Sequence, residues 1–397
     1  MLAQMFMSWS NRGMSGPVQH SAMRGSNLAL VLGAVAETGP LTRSQLTART
    51  GLTKSSISGL VGDLVAAGLV GEGQPAPTRE RGRPGSVVAI ERQGAAGLGL
   101  EVNVDYLAAM VTDLGGTVRY RHTVAHDNRD RPPAEVLADL ARLAAAATDA
   151  CDEQGLPLAG ACLAVPGTVA AGVVRRAPNL GWDDVPVDLP LPRSAFGLTL
   201  ENEADLAALA ELRAGTASRD FVHVSGEIGI GGGIIVDGEL FRGAHARAGE
   251  LGHVVLDPDG PACSCGGRGC LERLAGLDAI LAASGAADRA ELEARCAAGE
   301  AGALAAVASA GRWLGIALAS VTNLLDPECV VLGGVFAALA PWLGDAVEEA
   351  LARHGVQPRV VVSELGTEAA VRGAAGSVVR RVVGDPAAYL LSREDSA

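Results

Sequence analysis

Long uncharged apolar runs are missing from this sequence of 397 residues. A membrane-spanning helix needs about 18 such residues or more, so we expect no transmembrane segment. Residues 1–10 include apolar side chains but no basic segment followed by a long apolar one, and we therefore expect no signal peptide. These absences disfavour membrane and secreted proteins and lead us to expect a cytoplasmic one.

Cysteine is scarce and lysine is almost absent. The seven cysteines are an odd number, and three of them fall within residues 263–270. That distribution favours a reducing cytosol and a metal site over a disulfide framework. Lys54 is the only lysine beside 31 arginines, which we attribute to genomic base composition.

The formal net charge of −13 argues against a nucleic-acid-binding protein if it is taken over the whole chain. The charge is divided unevenly, however. Residues 1–90 hold eight Lys and Arg against four Asp and Glu, whereas residues 91–397 hold 24 against 41. The sequence therefore describes a small basic segment followed by a large acidic one.

Residues 1–25 are rich in Met, Ser and Gly without an apolar period, and we expect them to be disordered. Residues 26–90 have the pattern of a winged helix-turn-helix. Three helices are predicted: the first over 27–37, the second opened by a capping box of Thr42 with Gln45, and the third capped by Thr53 and ended by Gly68. Residues 69–70 and 87–90 are predicted to pair as two short strands.

A winged helix-turn-helix places the start of its third helix in the major groove of DNA. Hydroxyl groups there can contact phosphates or base edges, and an arginine-rich wing can enter the minor groove. The alternative is a helical dimerisation module with a solvated charged loop. We favour DNA binding through Thr53, Lys54, Ser55, Ser56 and Ser58 and through the wing residues Arg79, Arg81 and Arg83.

From residue 97 onward, strand-like runs alternate with helical ones. The predicted strands are 97–104, 106–113, 118–125, 161–165, 198–200, 221–224, 233–236 and 329–332, and the predicted helices are 134–153, 205–213 and 341–352. Residues 172–197 are expected to form ordered loops near a site. Two three-stranded meanders, each followed by helices, predict two related α/β lobes with a cleft between them.

Cys263, Cys265 and Cys270 lie close together in a glycine-rich loop, and His253 is ten residues upstream of the first. Three thiolates and one imidazole form a closed tetrahedral set, which is typical of structural Zn²⁺. The alternative is a group of buried or redox thiols. Zinc here would connect the segment that carries Glu250 to the one that carries Glu272.

Glu-Leu-Gly-His at 250–253 and Cys-Ser-Cys-Gly-Gly-Arg-Gly-Cys-Leu-Glu at 263–272 resemble the signature of the ROK family (repressor, open reading frame, kinase). Further matches are Val-Pro-Gly at 165–167, Pro-Asn-Leu-Gly-Trp at 178–182, Glu-Asn-Glu-Ala at 201–204, Gly-Ile-Gly-Gly-Gly at 229–233 and Val-Leu-Gly-Gly at 331–334. With the preceding winged helix, the pattern is similar to the family's repressor branch. The resemblance implies a two-lobed, actin-like (ribonuclease-H-like) ATPase fold over residues 95–385.

The resemblance also implies a sugar site, because ROK sugar kinases hold sugar hydroxyls with residues of these motifs. Carboxylates and amides suit vicinal hydroxyls, since they accept and donate paired hydrogen bonds. Gly167 would let a loop approach the sugar, and His253 would bind zinc with one nitrogen and face the sugar with the other. The implied set is Gly167, Asn179, Asn202, Glu203, Glu250, His253 and Glu272.

The kinase pattern fails at the phosphate loops. The family's Asp-x-Gly-Gly-Thr-Lys aligns with residues 101–106, where both glycines, the Thr and the Lys are missing. Gly-Glu-Ile-Gly at 226–229 replaces Gly-Thr-Gly, and Glu203 replaces the general-base Asp. Backbone amides must approach the phosphates closely, so these changes argue against phosphoryl transfer.

We therefore predict a sugar-responsive transcriptional regulator without catalysis. It is expected to act as a homodimer or a dimer of dimers on two-fold operator DNA, with a sugar or sugar phosphate as effector. Two alternatives stay open: a bifunctional ATP-dependent sugar kinase with a DNA-binding segment, and a zinc-stabilised scaffold whose sugar pocket is vestigial.

Overall fold

The computed structural model describes residues 20–73, 86–191, 194–226 and 229–394. The chain forms two compact units, which we call the head and the body. The head comprises residues up to 91 together with those from 382 onward, and the body comprises residues 92–381.

The N-terminal part of the head is a winged helix-turn-helix, as predicted. Its elements are helices α1 (His20–Thr38), α2 (Arg43–Thr50) and α3 (Lys54–Ala66) and strands β1 (Leu41–Thr42), β2 (Val70–Gly73) and β3 (Val87–Ile90). The strands pair in the order β1-β3-β2, with both pairs antiparallel. The helices bury Leu32, Leu46, Ile57 and Leu64 completely, because their apolar side chains recur at helical spacing.

Both predicted helix caps are present in the head. The Thr42 hydroxyl accepts the Gln45 N–H at 3.3 Å, and the Gln45 side chain accepts the Thr42 N–H at 2.8 Å, which completes the capping box. The Thr53 hydroxyl accepts the Ser56 N–H at 3.2 Å and opens α3. Strand β1 was not predicted, since two residues carry no detectable period.

Helix α1 includes residues 20–25, which we expected to be disordered, whereas residues 1–19 lie outside the described part of the chain. The helix extends this far because tertiary contacts support it. Arg24 forms an ion pair with Asp63 of α3, and the C-terminal helix of the chain packs against α1. Neither contact can be read from a local pattern.

The body is built on two five-stranded sheets of the same plan. Its strands are β4 (Ala96–Val102), β5 (Tyr106–Asp113), β6 (Val118–Ala125), β7 (Leu158–Val165), β8 (Thr168–Ala170), β9 (Val173–Ala177), β10 (Trp182–Pro186), β11 (Leu198–Asn202), β12 (Phe221–Gly226), β13 (Ile230–Val236), β14 (Glu239–Leu240), β15 (Cys329–Gly333) and β16 (Arg359–Val362). Its helices are α4 (Pro133–Glu153), α5 (Glu203–Ala214), α6 (Leu271–Ala275), α7 (Leu277–Ser284), α8 (Arg289–Ala297), α9 (Ala301–Leu325), α10 (Gly334–Arg353) and α11 (Ala369–Gly384).

Each large sheet joins an antiparallel meander to two parallel strands. The first lobe has the order β11-β7-β4-β5-β6 and the second has β14-β13-β12-β15-β16. In both, the meander's first strand pairs in parallel with the strand that follows the crossover. This repetition is the actin-like, ribonuclease-H-like architecture that the motifs implied. A third, small sheet has the order β10-β9-β8, and its strands β9 and β10 lie within residues 172–197, where we expected ordered loops.

The glycines of β4 allow a helix to lie directly on the first sheet. A Cβ atom at Gly99 would lie 2.3 Å from the carbonyl oxygen of Val371, so only glycine permits α11 to pack here. In the second lobe, α9 and α10 pack together over the sheet. Helix α10 begins at Gly334 rather than at Pro341, because its buried residues Val335, Phe336 and Leu339 extend the apolar face toward the sheet.

Helix α9 is long and apolar enough to cross a membrane by length and composition alone, the one such helix among the described residues. Arg312 interrupts its apolar run, and Ala310, Leu314 and Leu318 are buried against the body. We therefore interpret α9 as the core helix of the second lobe.

Helix α12 (Pro386–Glu394) returns the chain to the head. It contacts α1, and Tyr389 within it is only 2% exposed. The head as a compact unit thus includes residues beyond 26–90, and the body as a compact unit ends at residue 381.

Candidate functional site

A cavity of about 430 Å³ opens between the two lobes of the body. We call it the ligand cavity. Its walls come from the segment after β7, from β9 and the turn behind it, from the start of α5, from the start of β13 and from the loop before α6. All seven residues of the implied sugar site line it: Gly167, Asn179, Asn202, Glu203, Glu250, His253 and Glu272.

Asn202 ends β11 and caps α5, which fixes its amide. The Oδ1 atom accepts the N–H groups of Ala204 at 2.8 Å and Asp205 at 3.2 Å, and Nδ2 donates to the Gly167 carbonyl at 3.0 Å. The amide oxygen thus serves the helix start. Asn202 therefore offers a ligand its remaining N–H and does not have the free donor and acceptor that we expected.

Gly167 is required by a backbone contact. A Cβ atom there would lie 2.2 Å from the carbonyl oxygen of Arg176, so the segment after β7 can pass β9 only without a side chain. We expected the close approach to be to a sugar. The structure shows that the same glycine also sets the spacing between two walls of the cavity.

Glu250 precedes the 3₁₀ turn Leu251–His253, and His253 ends it. The two ring nitrogens of His253 face different neighbours. Its Nε2 lies 4.0 Å from a carboxylate oxygen of Glu250, at the cavity, and its Nδ1 lies 3.8 Å from Cys263 Sγ. The predicted division of the ring between cavity and cysteines is thus present in the geometry.

The ligand atoms of His253, Cys263, Cys265 and Cys270, which we call the metal cluster, all lie within 4.8 Å of one another. Cys265 Sγ and Cys270 Sγ are 3.7 Å apart. Tetrahedral Zn²⁺ with bonds of about 2.3 Å separates two sulfurs by about 3.8 Å, so the donor set fits that ion. Burial raises the pKa of the Cys270 thiol to about 12, whereas the Gly267 N–H lowers that of Cys265. A cation supplies the charge that buried thiolates need.

The loop around the metal cluster is folded tightly by its glycines. Gly269 has a φ of 63°, and a Cβ atom there would lie 1.5 Å from the carbonyl oxygen of Asp257. Two isolated β-bridges, Val255 with Cys270 and Ala262 with Arg268, hold the loop's two branches together. The cysteine spacing and the glycines therefore act together to present the four donors.

Glu272 follows the metal cluster at the start of α6 and reaches into the cavity. Its Oε2 accepts the Ile230 N–H at 3.2 Å, and burial raises the pKa of its carboxyl group. A Cβ atom at Gly229 would lie 2.5 Å from this oxygen and 3.0 Å from Asn179 Nδ2, so a glycine lets both side chains meet there.

Tyr106 and His223, which sequence reasoning did not single out as site residues, fill the space behind Glu203. The Tyr106 hydroxyl donates to Glu101 at 2.7 Å and accepts from the Asn103 amide at 3.3 Å. His223 is completely buried, and this burial lowers its pKa to about 4. The remaining space is only about 20 Å³. Tyr106 occupies the Lys position of the kinase motif, which is the signal that could have identified it.

Arg176 is a third residue that the motifs did not single out. Its guanidinium donates to the Ser264 carbonyl at 3.0 Å, and this joins β9 of the first lobe to the loop of the metal cluster. It lies just before the Pro-Asn-Leu-Gly-Trp motif, but no local pattern predicts a contact 88 residues away.

The head presents the predicted third-helix residues to solvent. Thr53, Lys54, Ser55, Ser56 and Ser58 are all exposed, and the hydroxyls of Ser55 and Ser56 lie 3.0 and 2.9 Å from that of Thr53. Arg79, Arg81 and Arg83 lie outside the described residues, as does Glu227 of the second phosphate loop.

Comparison with protein families matches residues 97–381 to the ROK family and residues 29–82 to the MarR family. The chain belongs to the ROK family. The xylose repressor of Bacillus subtilis strain 168 is 30% identical to this ROK protein over 320 residues, which cover 77% of the present chain and 81% of that repressor.

Two solved structures illustrate the two branches of the family. A ROK family transcriptional regulator, described as a homologue of the E. coli MLC protein, covers 94% of this chain and 99% of its own at 25% identity, with a TM-score of 0.76. The ROK hexokinase of Thermus thermophilus is 33% identical, covers 71% of this chain and 97% of its own, and has a TM-score of 0.58. The regulator thus matches the ROK body together with the winged helix, whereas the hexokinase spans a smaller part of the chain.

Proposed function

We propose that this ROK protein is a sugar-responsive transcriptional repressor whose body senses a sugar and whose head binds operator DNA. One observation carries the proposal: seven motif residues from distant parts of the chain line one cavity, on a chain that also has a winged helix-turn-helix. The similarity to the Bacillus subtilis xylose repressor and to the MLC homologue supports the same function.

The geometry behind Glu203 argues against phosphoryl transfer by this chain. A kinase needs space and backbone amides for the phosphates at the first phosphate loop. Here the Tyr106 hydroxyl donates a hydrogen bond to Glu101 across that segment. The cavity that these residues line together with His223 has a volume of only about 20 Å³. Glu203 replaces the general-base Asp, and its longer side chain displaces the carboxylate. We infer that the body keeps the sugar cavity and has lost catalysis.

The metal cluster is proposed to hold structural Zn²⁺ through His253, Cys263, Cys265 and Cys270. The ion neutralises the thiolates and ties the loop that carries Cys265 to the turn that carries Glu250. Because no ligand position is open in a four-donor set, zinc stabilises the cavity wall and does not activate water. His253, held at Nδ1, then keeps Nε2 toward the cavity.

DNA binding is assigned to the exposed start of α3 and to the arginine-rich wing between β2 and β3. One winged helix reads a short half-site, so we propose a homodimer, or a dimer of dimers, on a two-fold operator in the cytoplasm. The effector acts by binding two states of the protein unequally, because only a difference in affinity shifts an equilibrium.

The test combines three measurements on the full chain. DNA that the protein selects from random duplexes should contain two-fold half-sites. In fluorescence anisotropy, at least one sugar from a panel of pentoses, hexoses, N-acetylhexosamines and their phosphates should change the Kd for that DNA by tenfold or more. The same sugar should raise the Tm. Sugars that bind without changing the DNA affinity would argue for the vestigial scaffold.

Sugar kinase activity is the second candidate, favoured by the 33% identity to the Thermus thermophilus hexokinase. It predicts ATP consumption that depends on a sugar. A coupled assay with the same panel decides between the two functions, since a non-catalytic sensor leaves ATP unchanged. Turnover that is lost in Glu203→Gln would establish the kinase instead.

A further inference from the structure

A second chamber of about 220 Å³ adjoins the ligand cavity. Residues 167–170, Asn202 and Glu250 line both spaces, so the two adjoin along this strip. The second chamber adds three residues outside the seven of the implied sugar site, namely Glu201, Asp205 and Arg242. Its volume is about that of seven waters in the liquid.

The side chains of these three residues can form further hydrogen bonds. Arg242 donates to Glu201 at 3.0 Å, which orients a guanidinium and a carboxylate side by side at the chamber. Asp205 lies in the first turn of α5, and its Oδ1 forms no hydrogen bond with any described residue. Burial raises the pKa of Asp205 to about 7, an effect that Arg242 opposes and to which Glu201 and Glu250 add. Such a group is satisfied by a hydroxyl donor.

The charges of the chamber select the kind of ligand. The chamber is lined by three carboxyl groups, those of Glu201, Asp205 and Glu250, and by one guanidinium, which Glu201 already pairs. A phosphate or carboxylate would therefore be repelled. An apolar group would leave the Asp205 Oδ1 without a polar contact. A neutral ring rich in hydroxyls meets both conditions, because each hydroxyl donates to a carboxylate and accepts from Arg242.

We propose that the second chamber binds a second glycosyl ring, so that the effector of this protein is a neutral disaccharide or longer saccharide whose first ring occupies the ligand cavity. This inference rests on the proposed sugar sensing and adds the size class of the sugar. The two rings would be joined across the strip 167–170, beside Asn202 and Glu250.

Isothermal titration of the full chain tests the size class with matched pairs: xylose with xylobiose, glucose with cellobiose and maltose, and galactose with lactose. At least one disaccharide should bind tenfold or more tightly than its constituent monosaccharides. Glucosamine and glucose 6-phosphate are included, because tighter binding of either one would show an ammonium or anion site and overturn the proposal.

Variants locate the second ring. Ala248 lines the second chamber and not the ligand cavity, so Ala248→Leu should weaken the preferred disaccharide about tenfold and leave its monosaccharide within twofold. Ala244→Leu, on an exposed residue of the same loop that lines neither space, is the matched control. Asp205→Asn and Glu201→Gln should reduce disaccharide affinity in the same selective way, without adding bulk.

The outcomes separate this inference from the proposed function. Monosaccharides that bind as tightly as disaccharides, or variants that weaken both equally, would overturn the second subsite and leave the sugar sensor standing. If no saccharide of either size binds, the sugar sensor fails and the second subsite fails with it.

Discussion

Asn202 illustrates how individual residues of this site serve the fold and the cavity together. Its amide oxygen caps α5 while its amide nitrogen holds the segment at Gly167. The cap directs the first turn of α5, and thereby Glu203 and Asp205, toward the two adjoining spaces. Asn202, which the motif predicts to contact a sugar, therefore also fixes the positions of Glu203 and Asp205.

Asp205 leads to a prediction about pH. Its carboxyl has a pKa of about 7 in the folded protein, above the ordinary value of 3.8, so the unfolded chain releases this proton first. The residue therefore favours folding at low pH, and that contribution is lost as pH rises from about 4 to about 7. Asp205→Asn should raise the Tm at pH 8 by several degrees, because each kcal/mol of unfolding free energy shifts the Tm by about 2–4 °C. This gain in Tm should shrink toward pH 5.

Differential scanning calorimetry of the ligand-free chain between pH 5 and pH 8 measures this effect. Asp345→Asn, at an exposed carboxylate on α10, is the control and should not change the pH profile. An Asp205→Asn variant whose Tm follows the wild type at every pH would show that Asp205 is ionised in the folded protein throughout.

At the scale of elements, the loop from His253 to Cys270 depends on its metal. Cys270→Ser removes one of four donors, and the buried charge of the remaining thiolates then destabilises the loop. We expect loss of the one Zn²⁺ per chain by elemental analysis, a Tm lower by at least about 5 °C, and weaker sugar binding. Cys296→Ala, at a buried thiol outside the cluster, is the control and should keep the zinc. A wild-type protein that contains no zinc and has the same Tm would contradict the assignment of structural Zn²⁺ to the metal cluster.

The C-terminal helix provides a second prediction for an element. Tyr389 is 2% exposed and Leu391 is 64% exposed on the same short helix, α12. Tyr389→Ala should destabilise the head by about 3–5 kcal/mol, as buried aromatic truncations do, and should lower DNA affinity while zinc content stays the same. Leu391→Ala is the matched control with little effect. Normal DNA binding by Tyr389→Ala would show that α12 is dispensable for the head.

The elements also show what local patterns can and cannot predict. Strands β5 and β6 were predicted to the residue, because alternation and the Gly115–Gly116 turn mark their ends. The metal cluster and the motif residues were foreseen from their spacing and from the family resemblance. The start of α10, the placement of α12 with the head, the Arg176–Ser264 contact and the second chamber were not foreseen. Each of these depends on contacts between residues far apart in the sequence.

At the scale of the whole molecule, the net charge of −13 combines a basic N-terminal segment with an acidic remainder. We expect the acidic remainder to repel the DNA backbone, which would confine contact to the head and favour specific over general binding. Most of the electrostatic attraction would then come from a few residues, and we expect Arg81 and Arg83 to be among them.

This division predicts the salt dependence of DNA binding. Each phosphate contact contributes about −0.9 to the slope of log K against log salt concentration, so Arg81→Ala with Arg83→Ala should flatten the slope by up to about 2 and weaken binding to all duplexes. Arg289→Ala with Arg353→Ala, at one partly exposed and one exposed arginine on body helices, is charge-matched and should leave the slope unchanged. Fluorescence anisotropy from 50 to 300 mM salt measures both. Equal slopes for the two double variants would mean that Arg81 and Arg83 do not contact phosphates.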